Sequence, residues 1–352
     1  MTQGFKRKIV SFFLKSHFDK PIQKPKSRKI LSLKKLPIFS SSIFNKRKKK
    51  IRFYVIRVHK SGGGLFSNVL HVLNHIRIAK KLKLVPIVDM ENFYTLYNEN
   101  NKIDGTNNSW LYYFEQISNF SLDKIYNSSK IVFSDPQIKM PRNFETSSNF
   151  KNLFKKNITI KKKFVDNIKK FQKKNFFHHK TIGIHLRGTD MRITPNHPLP
   201  PTVEQVFNIV DKLLYEKKFN KIFLVTDQKS YLDQFIKKYK SLLCYTDCFR
   251  SNKNKIFDLD VRKNHRYKLG KESLEQMLLL SKLEYLITSK SNLSRCSVML
   301  SNKRIKCLEI NNGNNSKKIL YSRIKWFVKK MLPKKFGGFN QKIEIKFQTY
   351  QY

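Results

Sequence analysis

Apolar residues fall along this chain in two alternating rhythms. Ile51 to Val58 is a run rich in β-branched and aromatic residues and reads as a strand. The glycine loop Ser61 to Gly64 interrupts it. Val69, Leu70, Leu73, Ile76, Ile78 and Leu82 then recur at helical spacing, and Val85 to Val88 reads as a second buried strand ending at Asp89. The pattern predicts one β-loop-α-β unit. From Glu91 to about Phe150 the chain is rich in Asn, Ser and aromatics, including Trp110, Tyr112, Tyr113 and Phe114, and predicts loops and short helices. Alternation then returns. Strands are expected at Thr181 to Leu186, Lys221 to Thr226, Tyr285 to Ile287 and Ile305 to Ile310, with helices at Val203 to Leu214, Tyr231 to Tyr239, Glu272 to Leu283 and Leu293 to Leu300. Strands alternating with helices imply parallel sheets covered on both faces, whose ligands sit at the carboxyl ends of the strands.

With 352 residues the chain is long enough for two cores. The expected divisions are a basic tail or arm at 1–50, an N-terminal α/β domain with the glycine loop at 51–175, a C-terminal Rossmann-like domain at 176–315, and an amphipathic helix and tail at 316–352. The formal net charge of +49 would ordinarily point to nucleic acid or an anionic membrane. Lys, Asn, Ile, Phe and Tyr are all abundant and Ala is scarce, however, as AT-rich codons would produce, so charge alone says little about partners. Cys244, Cys248, Cys296 and Cys307 form neither a C-x-x-C pair nor a zinc spacing, which fits a reducing compartment. No apolar run approaches the ~20 residues that span a bilayer, and Ile9 to Leu14 is too short for a signal-peptide core. A cytoplasmic protein is expected.

Two segments have the pattern of helices at a membrane surface. Phe5 to Phe18 is either such a helix or a disordered basic leader. Lys317 to Leu332 places Leu320, Ile324, Phe327, Val328 and Met331 on one face, Lys318, Lys325 and Lys329 on the other, and Trp326 near the boundary. It is read either as a peripheral contact with an anionic membrane or as a closing helix packed back on the first domain.

The segment with the most chemistry is Ile182 to Arg192, where a buried strand delivers His185, Arg187 and Asp190 to its carboxyl end. Arg187 there either binds a diphosphate through its planar fork, with Gly188 letting the backbone come close, or makes an ordinary ion pair with Asp190. Residue chemistry leaves both readings open.

The H-x-R-G-T-D pattern of His185 to Asp190 resembles the signature shared by the α-1,2-, α-1,6- and protein O-fucosyltransferases, in which the Arg holds the β-phosphate of GDP-fucose. Phe223 to Asp227 is similar to that family's strand ending in Thr-Asp, which implies that Asp227 lies near the guanosine. Leu280 to Asn292 resembles its third motif, a helix and strand ending in a Ser-rich turn beside the phosphates, here with Ser289 and Ser291. Gly62 to Asn68 resembles the glycine loop of the first domain, so Gly63, Gly64 and Asn68 join the expected donor contacts. The resemblance runs from about Ile51 to Ile310.

What the resemblance implies is a GT-B-like α/β protein, two doubly wound (Rossmann-like) domains with a cleft between them, moving fucose from GDP-fucose to a hydroxyl of a glycan acceptor. Arg187 and Asp190 are the expected catalytic residues, and His185, Arg187, Gly188, Asp227, Ser289, Ser291, Gly63, Gly64 and Asn68 the expected donor contacts. No cofactor or metal is expected: Asp258-Leu259-Asp260 matches a metal-binding D-x-D only in its spacing. The pattern departs from its relatives at Met191, where α-1,6 enzymes have Lys with a Glu shortly after; the first Glu beyond Met191 here is Glu204. The alternatives are another sugar nucleotide on the same fold, or a nucleic-acid-binding protein; the latter accounts for charge alone, and no specific nucleic acid is expected.

Overall fold

The structure is a computed structural model that describes residues 30–32, 53–58, 63–127, 131–135, 138, 148–216, 218–253, 256–339 and 345–350. The Phe5 to Phe18 segment lies outside the described residues. The chain divides into two compact units, Met1–Lys161 with Asp260–Gly270, and Lys162–Leu259 with Lys271–Tyr352. The first break falls earlier than the expected 175/176, because the helix Lys162–Asn175 belongs to the second unit. Phe164 and Ile168 on it are buried, and Phe171 meets the Phe223 ring at 5.5 Å. Their i, i+4, i+7 spacing is the local signature of that helix. Residues 260–270 return to the first unit through Tyr267, whose N–H donates to Glu99 Oε1 at 2.8 Å and whose ring stacks on Tyr113 at 5.8 Å.

The first unit holds a four-stranded parallel sheet in the order β1-β4-β2-β3, made of Ile30–Ser32 (β1), Phe53–Ile56 (β2), Val85–Val88 (β3) and Ile131–Phe133 (β4). Two strands correct the sequence reading. Ile30–Ser32, placed within a tail or arm, adds a parallel edge strand beside β4. Ile131–Phe133, placed among loops, is too short to show a period, yet it pairs with β2 and its three side chains are buried. Phe53, Val55, Ile87, Ile131 and Phe133 form one core with Phe93 and Ile125. The aromatic stretch at Trp110 to Phe114 is likewise interior packing, with Tyr112, Tyr113 and Phe114 fully buried.

The second unit has a six-stranded sheet in the order β10-β9-β8-β5-β6-β7. Its strands are Thr181–Leu186 (β5), Lys221–Thr226 (β6), Leu243–Cys244 (β7), Tyr285–Thr288 (β8), Ile305–Glu309 (β9) and Gln348–Tyr350 (β10). All neighbours are parallel except β10, which runs antiparallel to β9 within the expected C-terminal tail. Every side chain of β5 is buried, as expected of a central parallel strand covered on both faces. Ile182, Ile184 and Leu186 share a core with Val206, Ile209, Val210 and Leu213 of the helix Val203–Tyr215. Thr202 and Gln205 start that helix with a reciprocal capping box.

Candidate functional site

Strand order decides where a ligand can sit in the second unit. From β5 the chain moves outward through β6 and β7, then returns to the other side of β5 with β8 and β9. The order therefore reverses between β5 and β8, and in an open parallel sheet the crevice at such a reversal, outside the carboxyl ends, is the binding position. Leu186 lies opposite Thr226 and His185 opposite Thr288. The three strands end level, so the loops carrying Arg187, Asp227 and Ser289 stand side by side.

Between β5 and β6 the loops are tied into one cluster. Arg187 Nη2 donates to Asp190 Oδ1 at 2.9 Å and its Nε to Asp227 Oδ2 at 3.4 Å. Asp227 also accepts from the Gly188 N–H at 2.9 Å and the Thr189 hydroxyl at 2.9 Å. The Gln228 amide oxygen takes the Thr189 N–H at 2.8 Å. Thr189, buried and β-branched, sits at φ +20°, on the edge of the left-handed region, a strain that costs on the order of 1–3 kcal/mol and persists because these bonds over-determine it. Glycine at 188 lets the two loops close on each other, since a Cβ there would lie 2.1 Å from Gln228 Oε1 and 2.9 Å from its Cβ. The strand-end ion pair left open by the sequence is thus present, but as half of a fork held between two carboxylates. The Arg187 side chain is 32% exposed and that of Asp190 47%, so both can be reached from solvent.

Between β5 and β8 the groups are uncharged, with His185, Thr288, Ser289 and Ser294 buried and Ser291 partly exposed. His185 Nδ1 lies 2.6 Å from Ser294 Oγ and 3.1 Å from Ser291 Oγ. Thr288 Oγ1 donates to the Ser289 carbonyl at 2.8 Å, so in its short contact with Ser294 it accepts. Ser294 has then spent its proton and must accept from the histidine. This ordering places the imidazole proton on Nδ1 and leaves Nε2 an acceptor. Ser291 caps the helix Asn292–Leu300 by accepting from the Ser294 N–H. His185 therefore braces the Ser-rich turn from within the fold, and Ser291 caps the helix that follows it. Ser289 enters this network through its backbone carbonyl.

Burial, with help from the Arg187 charge, pushes the His185 pKa down to about 3, and burial likewise takes His75 of the first unit to about 3. Both would titrate near 6.5 when unfolded. Below pH 6.5 the unfolded chain binds protons that the fold excludes, so stability is complete above that pH and falls as the solution is acidified toward 3. The loss is on the order of 2 kcal/mol per histidine by pH 5. Urea melts at pH 7.5, 6 and 5 should show it, and a flat profile would mean that both rings protonate in the folded state.

The turn Thr189–Arg192 is also held from behind. Asn315 Nδ2 donates to the carbonyls of Arg192 and Thr194 at 3.2 Å each, and the Ser322 hydroxyl is shared between the carbonyls of Ile319, in its own helix, at 2.7 Å and Ile193 at 2.9 Å. The Arg192 guanidinium lies over the rings of Trp326 and Phe327 at 5.4 and 5.6 Å. The helix Ile319–Met331 thereby packs on the turn that carries Asp190. Thr189, Gln228, Ser294, Asn315 and Ser322 were all missed as site supports. Only Thr189, inside the motif, had a local signal; the others arrive from across the sheet or from the chain's end.

The expected contacts of the first unit are arranged differently. Gly64 precedes the helix Leu65–Lys81. Of the first-turn donors, the Leu65 N–H goes to the Tyr97 hydroxyl at 2.7 Å, and those of Ser67 and Asn68 go to the Gly64 carbonyl. Gly63 lacks a Cβ because one would stand 2.5 Å from that of Ser67. Asn68 is buried, and Gly62 lies outside the described residues. Among the described residues no three His, Cys, Asp or Glu side chains converge as metal ligands. Burial pushes the thiols of Cys244, Cys296 and Cys307 up to about 12, too high for a thiolate nucleophile at neutral pH.

No family model matches the sequence, and no curated protein matches it either. Solved structures do match. The crystal structure of fucosyltransferase NodZ from Bradyrhizobium superposes with a TM-score of 0.50 at 14% identity, covering 77% of this chain and 100% of that one. NodZ α-1,6-fucosyltransferase co-crystallised with GDP gives 0.50 at 15% identity, with 76% and 98% covered. At such identities the likeness is one of fold: this chain has the two-domain, Rossmann-like α/β fold of those structures.

Proposed function

We propose that this chain is a GT-B-like fucosyltransferase that moves fucose from GDP-fucose to a glycan hydroxyl, in the making of a surface polysaccharide, lipopolysaccharide or other glycoconjugate. The observation that carries the reading is the Arg187 fork, held by Asp190 and Asp227 beside a topological switch point. It lies in a fold shared with a structure co-crystallised with GDP. In this proposal the second unit binds the donor and the first the acceptor. Fucosyl transfer passes through an oxocarbenium-like transition state, so the main demand is to stabilise charge growing on the departing diphosphate. Arg187 meets it. Asp227 stays on Nε and the Gly188 N–H as the buckle that aims the fork, in place of the guanosine contact that the resemblance implies. Asp190 yields its place on Nη2 to a phosphate oxygen and becomes free to orient the acceptor hydroxyl or accept its proton. The helix that Ser291 caps adds its amino-terminal partial positive charge at the same crevice. Gly63, Gly64 and Asn68 belong to the donor site in this proposal only through the family resemblance. The acceptor would be a glycan presented at an anionic membrane surface, reached by a cytoplasmic protein; no helix among the described residues is long and apolar enough to cross the bilayer.

The test is calorimetric titration of GDP, GDP-fucose, GDP-mannose and UDP-sugars, followed by transfer assays with and without EDTA. GDP and GDP-fucose are expected to bind, and transfer to persist in EDTA and in an Asp258→Asn/Asp260→Asn double variant. Binding of UDP-sugars alone would keep the fold and replace the donor; activity lost to chelator and restored by Mn²⁺ would overturn the metal-free mechanism.

A further inference from the structure

The helix Ile319–Met331 uses the side that its sequence pattern marks as its margin to dock. Trp326, placed at the headgroup boundary by the sequence reading, is 3% exposed, donates Nε1–H to the Pro200 carbonyl at 2.8 Å, and packs with Leu199 and Phe339. Ser322, a polar residue, is fully buried beneath the helix against the Ile193 carbonyl. An indole needs a partner for its N–H, and it finds one inside the fold rather than at a headgroup. The apolar stripe is left facing outward. Leu320 is 75% exposed, Ile324 54% and Met331 84%, and Phe327 and Val328 of the same stripe are exposed too. Scattered exposed apolar side chains need no explanation, but several in register along three turns form a surface. Within the second unit, then, the stripe is not the side by which the helix docks.

The charge around the stripe indicates what covers it. Between Ile310 and Phe339 there is no Asp or Glu, while eight Lys or Arg occur. Five of them are exposed: Lys317, Lys318, Arg323 and Lys335, together with Lys330, which already meets Glu204 at 3.3 Å. A second copy of this chain would set this cationic helix against its own like, and an ordinary apolar partner would give Lys317, Lys318 and Lys335 no counter-charge. An anionic bilayer satisfies both features: acyl chains accept Leu320, Ile324 and Met331, and headgroups accept the flanking cations. We infer that the outward face of Ile319–Met331 is a docking surface for anionic lipid, with Leu320, Ile324 and Met331 as the inserted side chains. Because the inner side of the same helix carries Ser322 and Trp326 against the turn that holds Asp190, docking sets this site at the bilayer surface. The inference does not rest on the identity of the donor.

The test is co-sedimentation of the full chain with vesicles of phosphatidylcholine alone or mixed with phosphatidylglycerol, at low and high salt. The wild type is expected to pellet only with the anionic vesicles and to be released by salt. Leu320→Ser/Ile324→Ser/Met331→Ser changes exposed positions only, so the fold should survive, as melting and retained GDP binding would verify. Its vesicle partitioning should fall by roughly tenfold or more, each position giving up much of a Leu-sized transfer into the acyl region. Unchanged pelleting of the triple variant would assign the binding to the basic residues elsewhere and overturn the inference. So would absence of wild-type pelleting, or a wild-type dimer that the triple variant converts to monomer.

Discussion

Arg187→Ala is expected to lower kcat for fucosyl transfer by about 10²- to 10³-fold, the usual result of removing one donor to a developing anion, or about 2.7 to 4 kcal/mol of transition-state stabilisation. Two effects add here. The planar fork that would meet the diphosphate is lost, and Asp190 and Asp227, bound at 2.9 and 3.4 Å to the guanidinium, are left beside an incoming anion with no cation between them. GDP affinity should therefore fall with turnover, which calorimetry on the same variant would read. Arg187→Lys is not a mild change, since one ammonium cannot hold Asp227 through Nε and offer a second donor to phosphate in the same plane. It should recover binding in part and kcat hardly at all. An Ala variant that melts like the wild type and transfers fucose within threefold of its rate would remove Arg187 from the mechanism.

Gly188→Ala carries the second large expected effect. The new Cβ would lie 2.1 Å from Gln228 Oε1 and 2.9 Å from Gln228 Cβ, so the side chain must leave or the loops must part. If Gln228 leaves, the Thr189 N–H, buried and bonded to Oε1 at 2.8 Å, loses its acceptor, a cost of about 1–3 kcal/mol. If the loops part, the Gly188 N–H leaves Asp227, and the fork loses its aim. A displacement of about 1 Å in a positioning group is enough for roughly a 10²-fold loss in kcat/KM. The cause can be separated with Gln228→Ala. The double variant should be less impaired than the sum of the singles, with a coupling of at least about 1 kcal/mol in stability. Strict additivity would show that the two residues do not press on each other, and full activity of Gly188→Ala would place the clash outside the site.

Much of this arrangement is readable from local pattern. Thr181 to Leu186 and Lys221 to Thr226 are strands to the residue, because a central parallel strand is apolar on both faces and ends where the first charge, Arg187 or Asp227, appears. The strands absent from the pattern are those of two or three residues, Ile30–Ser32, Ile131–Phe133, Leu243–Cys244 and Gln348–Tyr350, where a period of two has no room to show itself. The helix Glu272 to Leu283 was expected in the right place with the wrong ends. It starts at His265, because polar residues before Glu272 extend it, and stops at Leu280.

The amphipathic stripe at Leu320 to Met331 shows how far pattern reaches. Spacing located the helix and its apolar face, since both are properties of a 3.6-residue period. Which side docks was decided elsewhere: Pro200 supplies a carbonyl for the Trp326 indole, and Ile193 one for the Ser322 hydroxyl, from segments more than a hundred residues away. The same holds at the site. Local pattern alone puts His185, Arg187, Asp227 and Ser291 at or just beyond strand ends, because hydrophobic run length is written locally. That those ends are neighbours, that the Arg187 fork is shared between two carboxylates, and that Ser294 sets the tautomer of His185 follow from long-range packing. Strand order and the meeting of distant loops are fixed by packing between segments, and no single segment carries a record of its partner.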